Sequence, residues 1–394
     1  MYFYIMKAPK PLEFRVIATP GSVKPSGSNM EVAGVFNPGA SVVDGETLLM
    51  LRVAENPAEK KILLPYFNVN NTQNSPFEIL LEEIPKKDTK WVREREIFLK
   101  KEGHVRLRHI SYPLIARSKD GLTIDSIEEK PSFHPCYEHE RFGIEDVRIT
   151  KVTTPQGQED VYAFTYVSPH RELGVSTSIA TTLDFKRFKR FDLQGMPRPI
   201  RTLVKDFSLF PEKIRSPEMR KDELHQYKMD YAALTRPNAF SDLSSPGIWM
   251  SYSDNLIYWG GNHRLIRSCN GEYTGTGTPP IKVGNLWLGI YHEVNPMKKK
   301  RFGNERFSAY RARMFGLDYH NPEKLLYRSG ILINPNEHGL APGFRPNVVY
   351  PTGIIKREDQ GVIDIYSGED DTYTSMRRYY TEDIIKFLKR SPEV

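Results

Sequence analysis

The sequence predicts an all-β protein, and three observations support this fold class. Apolar runs are mostly about four to eight residues long and end at turn residues, as in segments 47–54, 161–167 and 286–292. The 29 prolines and 27 glycines are spread from one end of the chain to the other. Both features are typical of many short strands rather than of strands alternating with long helices. The third observation is a weak internal repeat.

This repeat is a turn pattern that occurs three times. A hydroxyl residue is followed two positions later by Asp or Asn and, four positions after that, by a bulky apolar residue. The pattern occupies segments 118–124, 182–188 and 253–259, whose starts are 64 and 71 residues apart. Spacings of this size suit four-stranded propeller blades with insertions, and at about 65 to 70 residues per blade the chain holds five. The alternative is three unrelated hairpin turns.

We therefore predict a five-bladed β-propeller with a short C-terminal helix. The predicted boundaries are an N-terminal extension over 1–30 that packs on the propeller, the propeller over 31–380 and the helix over 381–394. Thr381 is a suitable N-cap for that helix, and Ile384, Phe387 and Leu388 form its apolar stripe. A second helix is predicted over 216–228.

Composition and charge exclude several classes of protein. The 394 residues carry a net charge of +7, and the two basic clusters, 186–191 and 298–301, are interpreted as a strand edge and a solvated loop rather than a nucleic-acid site. Cys136 and Cys269 are too few for a disulfide framework. No apolar run approaches the roughly 18 residues of a membrane span, and residues 1–11 lack the charge order of a signal peptide. We expect a cytoplasmic protein without nucleic-acid or membrane partners.

The segment 134–148 is the densest in side chains that could carry chemistry. Its His and Cys spacings match no standard zinc pattern, so we predict no metal site. If residues 143–149 begin a strand, Asp146 and Arg148 share one face and Glu145 lies on the other. This Asp-Arg pair is either an acid or sugar-binding pair or a structural ion pair. Phosphate-loop, nucleophile-elbow and dinucleotide motifs are missing from the sequence, and we predict no cofactor.

An ordered series of short segments resembles glycoside hydrolase family 130, the β-mannoside phosphorylases and mannosidases. Each segment is weak alone, and the ordered set is specific. The matching segments are 36–40, 51–53, 116–121, 145–148, 209–214, 235–238, 275–281, 288–292, 326–329, 346–353 and 366–371.

The resemblance implies a five-bladed propeller that is the catalytic domain and that cleaves β-mannosides with inversion. Asp146 stands in the place of the family's general acid, which protonates the leaving oxygen through the 3-hydroxyl of the sugar. The implied substrate-binding residues are Asn37, Arg52 and Asp371 for the mannosyl unit, with Arg148 beside Asp146, and Arg236, Tyr291 and His292 for phosphate.

Two departures from the family pattern favour water over phosphate as the acceptor. Glu212 stands where the phosphorylases carry a basic residue, and Glu272 lies where a lysine is usual. A carboxylate repels phosphate and can instead accept a proton from an attacking water. We therefore expect an inverting hydrolase of β-mannosides, β-1,2-linked ones foremost, with Asp146, Glu212 and Glu272 as catalytic carboxylates. A phosphorylase that releases mannose 1-phosphate is the first alternative and an inactive glycan-binding propeller the second, and a homo-oligomer is left open.

Overall fold

Strands form almost all of the regular structure. The structure is a computed structural model that describes residues 7–59, 61–93, 95–153, 160–170, 174–193, 196–215, 229–237, 247–268, 273–295 and 309–390. Within these ranges the α-helix is α1 (Thr381–Arg390), close to the C-terminus as predicted. The predicted helix over 216–228, the basic cluster 298–301 and Cys269 lie outside the described residues.

The strands are numbered in chain order. The first seventeen are β1 (Glu13–Ala18), β2 (Met30–Val43), β3 (Glu46–Pro57), β4 (Leu63–Phe67), β5 (Ile79–Glu83), β6 (Thr89–Arg93), β7 (Glu96–Leu99), β8 (His104–Leu107), β9 (Ile110–Ser118), β10 (Ser126–Ile127), β11 (Glu145–Thr153), β12 (Asp160–His170), β13 (Gly174–Thr182), β14 (Lys189–Arg190), β15 (Asp192–Leu193), β16 (Met196–Pro197) and β17 (Arg201–Thr202). The others are β18 (Val204–Leu209), β19 (Ile214–Arg215), β20 (Met229–Pro237), β21 (Gly247–Ser253), β22 (Gly260–Arg267), β23 (Tyr273–Thr276), β24 (Ile281–Val283), β25 (Leu286–Asn295), β26 (Ala309–Asp318), β27 (Leu325–Ile333), β28 (Val349–Arg357), β29 (Val362–Glu369) and β30 (Tyr373–Tyr380).

Most strands belong to large antiparallel sheets that follow one another along the chain. Sheet 1 has the order β2-β3-β9-β10, sheet 2 β11-β12-β13-β14, sheet 3 β18-β20-β21-β22, sheet 4 β23-β25-β26-β27 and sheet 5 β28-β29-β30-β1. The strands β17, β19 and β24 pair at the margins of sheets 2, 3 and 4. Among the described residues, the remaining strands form three small sheets, β4-β5, β6-β7-β8 and β15-β16. The described part of the chain is therefore all-β with one short helix, α1, near the C-terminus, as the sequence predicts.

The turn pattern of the sequence marks one place in each of the first three sheets. It follows the third strand, where the side chains of Asp120, Asp184 and Asn255 accept hydrogen bonds from the backbone two and three residues later. Asp318 forms the same turn after the third strand of sheet 4. The repeat is therefore a structural repeat of the sheets rather than three unrelated turns.

The hydrophobic core is divided among consecutive sheets. Separate clusters lie between sheets 1 and 2, sheets 2 and 3, sheets 3 and 4, and sheets 4 and 5, and the last of these also buries Ile384, Phe387 and Leu388 of α1. A further cluster joins sheet 5 back to sheet 1, where Ala18, Ile355 and Tyr366 lie with Leu49 and Leu51. Each large sheet therefore packs both faces against its neighbours in the series.

The N-terminal segment contributes a strand to sheet 5. Strand β1 pairs with β30, from Glu13 opposite Arg378 to Ala18 opposite Thr374. Strand β1 lies within the predicted N-terminal extension 1–30. By pairing with β30, it covers backbone groups that would otherwise form an open sheet edge. None of the described helices is long and apolar enough to cross a membrane.

Candidate active site

The first strands of sheets 1, 2 and 3 share an irregularity that shapes the candidate site. Asn37, Asp146 and Asp206 have positive φ angles of 48°, 50° and 56°, and the pairing register shifts around each of them. Asn and Asp tolerate this left-handed conformation better than other non-glycine residues. The bulges bring the side chains of Asn37 and Asp146 into hydrogen-bonding contact, and they place Asp206 beside Arg148.

The first group of side chains surrounds Asp146. Arg52 donates from Nη1 to Asp146 Oδ1 at 2.8 Å and from Nη2 to Glu145 Oε1 at 2.7 Å, and its Nε donates to Ser111 Oγ at 3.0 Å. Asn37 Nδ2 donates to the same Asp146 oxygen at 2.8 Å. The predicted placement of Glu145 and Asp146 on opposite faces is wrong, because the bulge brings both carboxylates to one arginine.

The two carboxylates on Arg52 differ in their affinity for a proton. Burial raises the pKa of Glu145, against the attraction of Arg52. Burial also acts on Asp146, but Arg52, Arg148 and the hydrogen bond from Asn37 outweigh it and hold the pKa of Asp146 below its usual value. In the protein without ligand, Glu145 is therefore the better proton holder of the pair.

Asp371 lies at the edge of this first group, beyond β29 of sheet 5. Its φ is 50°, and Oδ2 is 3.7 Å from Nη1 of Arg95. Burial raises the pKa of Asp371, although Arg345 and Arg52 act in the opposite direction. The structure thus brings the predicted residues Asn37, Arg52, Asp146 and Asp371 to one site.

The second group is built around Asp206, which the sequence did not single out. Arg236 Nε lies 2.5 Å from Asp206 Oδ2 and His292 Nε2 lies 3.8 Å from that oxygen. Tyr350 donates its hydroxyl hydrogen to Asp206 Oδ1 at 2.7 Å, and Arg148 Nη2 is 3.5 Å from the same oxygen. Its position in the repeat could have identified it, because Asp206 occupies in sheet 3 the place that Asp146 occupies in sheet 2.

Arg148 joins the two groups. Its guanidinium is almost fully buried and donates to the carbonyl oxygens of Asp146 at 3.0 Å and Gly277 at 2.6 Å, and to the hydroxyl of Tyr350 at 2.5 Å. Arg148 therefore holds the backbone of Asp146 while it lies beside Asp206. The Asp-Arg pair of the sequence is not a simple side-chain ion pair, since Arg148 binds the carbonyl of Asp146.

Lys205 adds a further cation to the second group. It lies directly opposite Arg236 in the pairing of β18 with β20, and the proximity of Arg236, with burial, lowers its pKa. Gly275 provides the space in front of these residues, because a Cβ there would lie 2.3 Å from Asp206 Oδ2 and 2.6 Å from His292 Cε1. Burial together with Arg236 lowers the pKa of His292 to about 3, so His292 is neutral at physiological pH.

Three predicted residues are not placed in either group. Tyr291 points away from His292 into the core between sheets 3 and 4, where its hydroxyl accepts a hydrogen bond from Arg328 at 2.5 Å. Glu212 has a side chain 47% exposed, accepts a hydrogen bond from Tyr319 at 2.7 Å and lies 3.8 Å from Lys282 Nζ. Glu272 lies outside the described residues.

These placements correct the roles predicted for Tyr291 and Glu212. Neighbouring residues of a strand point to opposite faces, so Tyr291 and His292 do not face one phosphate together. Glu212 is held by surface residues of β24 and the turn after β26, and none of its described contacts is to Asp146, Asp206 or their partners. In the described part of the chain we find no cluster of three or more His, Cys, Asp or Glu suited to a metal ion.

Comparison with known proteins identifies the family. The family profile described as beta-1,4-mannooligosaccharide phosphorylase matches residues 104–390. A beta-1,2-mannobiose phosphorylase of Listeria innocua is 31% identical over 366 residues, which are 90% of this chain and 91% of the relative. The chain belongs to glycoside hydrolase family 130. A 1,2-beta-oligomannan phosphorylase of Thermoanaerobacter is 27% identical over 70% of this chain and 81% of its own length.

A solved structure agrees with this assignment. The Listeria innocua beta-1,2-mannobiose phosphorylase, in its complex with beta-1,2-mannobiose, aligns with a TM-score of 0.74 and 28% identity over 94% of this chain and 96% of its own. The expected hydrolase is a wrong prediction, since these relatives are named phosphorylases. The reason lies in the weight given to Glu212, which the structure places away from both polar groups.

Proposed function

We propose that the chain is an inverting β-mannoside phosphorylase. Phosphate attacks the anomeric carbon of the non-reducing mannosyl unit, the bond from that carbon to the bridging oxygen breaks, and a proton passes to the leaving oxygen. The products are α-mannose 1-phosphate and the shortened saccharide. The names of the two relatives, a β-1,2-mannobiose and a 1,2-β-oligomannan phosphorylase, favour a β-1,2-linked substrate.

One observation carries the proposal: a cationic group lies directly beside the Asp146 group. Arg148, Lys205 and Arg236 contribute three positive charges, Asp206 contributes one negative charge, and His292 is neutral. The net charge of about +2 matches the −1.5 to −2 that phosphate carries near neutral pH. Arginine also binds phosphate through paired hydrogen bonds, which makes Arg236 the principal phosphate ligand of the proposal.

Asp206 has a defined part in this arrangement. By binding Arg236 on one oxygen and Tyr350 on the other, it fixes the two side chains while the site is empty of anion. Phosphate then meets an Arg236 guanidinium that is already oriented, so that less side-chain entropy is lost on binding. Lys205 supplies a positive charge that the sequence pattern lacked near residue 272.

Asp146 is proposed to deliver the proton, and Arg52, Asn37 and Asp371 to bind the mannosyl hydroxyls. Because Arg52 and Arg148 keep Asp146 ionised without substrate, Asp146 must gain proton affinity when the sugar binds. Sugar hydroxyls that engage Arg52 and displace water have this effect, since both weaken the stabilisation of the charged form. Glu145, on the same arginine, is the neighbouring group that holds a proton more readily.

We also interpret sheets 1 to 5 as the blades of a five-bladed propeller. This interpretation is supported by the repeated turn after the third strand and by the cluster that joins sheet 5 to sheet 1. The bulged first strands β2, β11 and β18 would then line the central funnel, with the two polar groups at one end of it.

Product analysis tests the proposed function. β-1,2-Mannobiose and β-1,4-mannobiose are incubated with the protein in phosphate buffer and in a phosphate-free buffer, and the products are followed by ¹H and ³¹P NMR. We expect α-mannose 1-phosphate from the β-1,2-linked substrate with phosphate and no turnover without it. Free mannose at equal rates in both buffers contradicts the proposal, and binding without any turnover would instead support a glycan-binding module.

A further inference from the structure

Arg52 holds two carboxyl groups, those of Glu145 and Asp146, on the two arms of one guanidinium. Its Nη2 donates to Glu145 Oε1 at 2.7 Å and its Nη1 to Asp146 Oδ1 at 2.8 Å. The guanidinium is held in place, because its Nε donates to Ser111 Oγ at 3.0 Å and its Cζ lies 4.8 Å from the centre of the Phe36 ring. The side chains of Arg52 and both acidic residues are no more than 15% exposed. One fixed positive charge therefore faces two largely buried carboxyl groups.

The surroundings of the pair decide which carboxyl group takes a proton. Two carboxylates that share a buried site are not ionised independently, and one of them holds a proton more strongly. Asn37 Nδ2 also donates to Asp146 Oδ1, and Arg148 further favours the ionised form of Asp146. Among the described residues, Arg52 is the one hydrogen-bond donor to the Glu145 side chain. When the pair holds one proton, that proton is therefore on Glu145, in agreement with the direction in which burial shifts the pKa of Glu145.

Other charged and titratable groups face Glu145 from several elements. His109, directly before β9, has Nε2 4.0 Å from Glu145 Oε1, and burial lowers the pKa of His109 well below its usual value, so it is neutral. Lys205 of β18 favours the ionised form of Glu145, whereas Asp371, beyond β29, and Asp146 disfavour it. These charges act in opposite directions, and the shared arginine has the largest influence of them.

We infer that Glu145 is the proton reservoir of Asp146: it carries the proton of the pair in the free enzyme and passes it to Asp146 when the mannoside binds. This inference rests on the proposed function, in which Asp146 delivers the proton. The transfer breaks the O–H bond on Glu145 and forms one on Asp146, so Arg52 faces one negative charge before and after it. The path is short, since neighbouring nitrogens of one guanidinium bind the two accepting oxygens.

The later steps return the pair to its starting state. The O–H bond on Asp146 breaks as the proton passes to the leaving oxygen and the glycosidic C–O bond breaks. Hydrogen phosphate, the attacking group, loses its own proton when it becomes the dianionic ester. That proton restores the pair, so the overall reaction neither consumes nor releases protons.

Substrates that differ in their need for a proton test this inference. The leaving group of β-1,2-mannobiose needs one, whereas that of 2,4-dinitrophenyl β-mannoside does not. For Glu145→Gln near neutral pH, we expect kcat with mannobiose and phosphate to fall by about 10²-fold, as for the loss of a general acid. The kcat with the dinitrophenyl mannoside should change little. A purely structural role, exerted through Arg52, would instead lower both rates alike, because both substrates carry the same mannosyl unit.

The pH profile gives a second measurement. In wild type, kcat/KM for mannobiose should fall as the pH rises through the apparent pKa of the pair. Glu145→Gln leaves Asp146 alone to hold the proton, and its pKa is below the usual value, so the fall should move to lower pH. Glu83→Gln, at a side chain that is 60% exposed and pairs with Lys61, is the control and should keep the wild-type profile. An unchanged profile in Glu145→Gln, or equal losses with both substrates, overturns the inference.

Calorimetry on the wild type makes the test independent of how well the variant folds. β-1,2-Mannobiose is titrated into the protein near neutral pH, without phosphate, in buffers of different ionisation enthalpy. We expect no net proton uptake, because the proton is already on the pair. Uptake of about one proton per site would show that Asp146 is protonated from solvent and would overturn the inference. If wild type turns over neither substrate with phosphate, the proposed function fails, and not only the role of Glu145.

Discussion

Asp146 has a backbone conformation that few residues adopt, and its carboxylate owes its position to that conformation. In a regular strand its side chain would point away from that of Glu145. With φ at 50°, both carboxylates reach Arg52 and the Asp146 carbonyl accepts a hydrogen bond from Arg148. The same conformation at Asn37 and Asp206 brings their side chains to the site.

Replacement of Asp146 by Asn keeps the shape of the side chain and removes its proton. We expect kcat for phosphorolysis of an unactivated β-mannobiose to fall by about 10²- to 10⁴-fold, the usual contribution of a general acid. Steady-state rates with saturating phosphate measure the effect. Asp160→Asn, on the exposed end of β12, is the control and should have the same kcat as wild type. An Asp146→Asn variant with a similar kcat would show that Asp146 is not the general acid.

Sequence reasoning located some of these residues and missed others for identifiable reasons. Resemblance to family segments identified Asn37, Arg52, Asp146 and Asp371, which the structure brings together. Asp206 and Lys205 were missed because they fall just outside the matching segment 209–214, and no periodicity reveals a bulge. Glu212 was wrongly predicted to be catalytic because a charged residue in a motif does not reveal how exposed its side chain is. The side chain of Glu212 is 47% exposed.

At the scale of elements, the pairing of β23 with β25 creates the space for an anion. Gly275 lies opposite His292 in this pairing, and β18 and β20 bring Lys205 and Arg236 to the same place. Alternation along strands could be predicted from the sequence, but the contacts between strands of different sheets could not. The insertion β6-β7-β8 was likewise unpredicted, since its short apolar runs resemble those of the large sheets.

Gly275→Ala tests this packing. The new methyl group would lie 2.8 Å from Arg236 Cδ and 2.3 Å from Asp206 Oδ2, so these side chains must move. We expect the KM for phosphate to rise by at least about 10-fold, because the displaced Arg236 can no longer form paired hydrogen bonds with phosphate. Gly260→Ala, where a Cβ meets nothing within 4 Å, is the matched control. An unchanged KM for phosphate in Gly275→Ala would show that phosphate does not bind at this place.

At the scale of the whole molecule, folding buries several histidines, and burial disfavours their charged form. Burial lowers the pKa of His109, His139 and His292, whereas an unfolded histidine titrates near pH 6.5. Below that pH the unfolded chain binds more protons at these positions than the folded chain does. The free energy of unfolding therefore decreases as the pH is lowered. Glu145 and Asp371, with raised pKa values, act in the opposite direction.

His292→Gln isolates one of these contributions. The stability of wild type should fall from pH 7 to pH 5 with a slope of up to about 1.4 kcal/mol per pH unit from each buried histidine. Urea unfolding at several pH values should give a shallower dependence for His292→Gln than for wild type. His263→Gln, on the exposed face of β22, should keep the wild-type slope; identical slopes in all three proteins would mean that His292 is not buried as a neutral group.

The order of the large sheets was predictable because the turn after the third strand leaves a mark in the sequence. The closing of the series was not, since the pairing of β1 with β30 joins residues near the two ends of the chain. That contact has no local pattern. It matters for function because it completes sheet 5, which supplies Asp371 to the first group and Tyr350 to the second.

The central claim is that the cationic group around Asp206 binds phosphate as the attacking group. Its most direct test is the initial rate of β-1,2-mannobiose breakdown as a function of phosphate concentration, for wild type, Lys205→Gln and the exposed control Lys151→Gln. We expect saturable dependence on phosphate, a KM for phosphate about 10-fold higher in Lys205→Gln with the KM for mannobiose nearly unchanged, and wild-type behaviour in the control. A rate independent of phosphate, or an equal KM for phosphate in all three proteins, would contradict the claim.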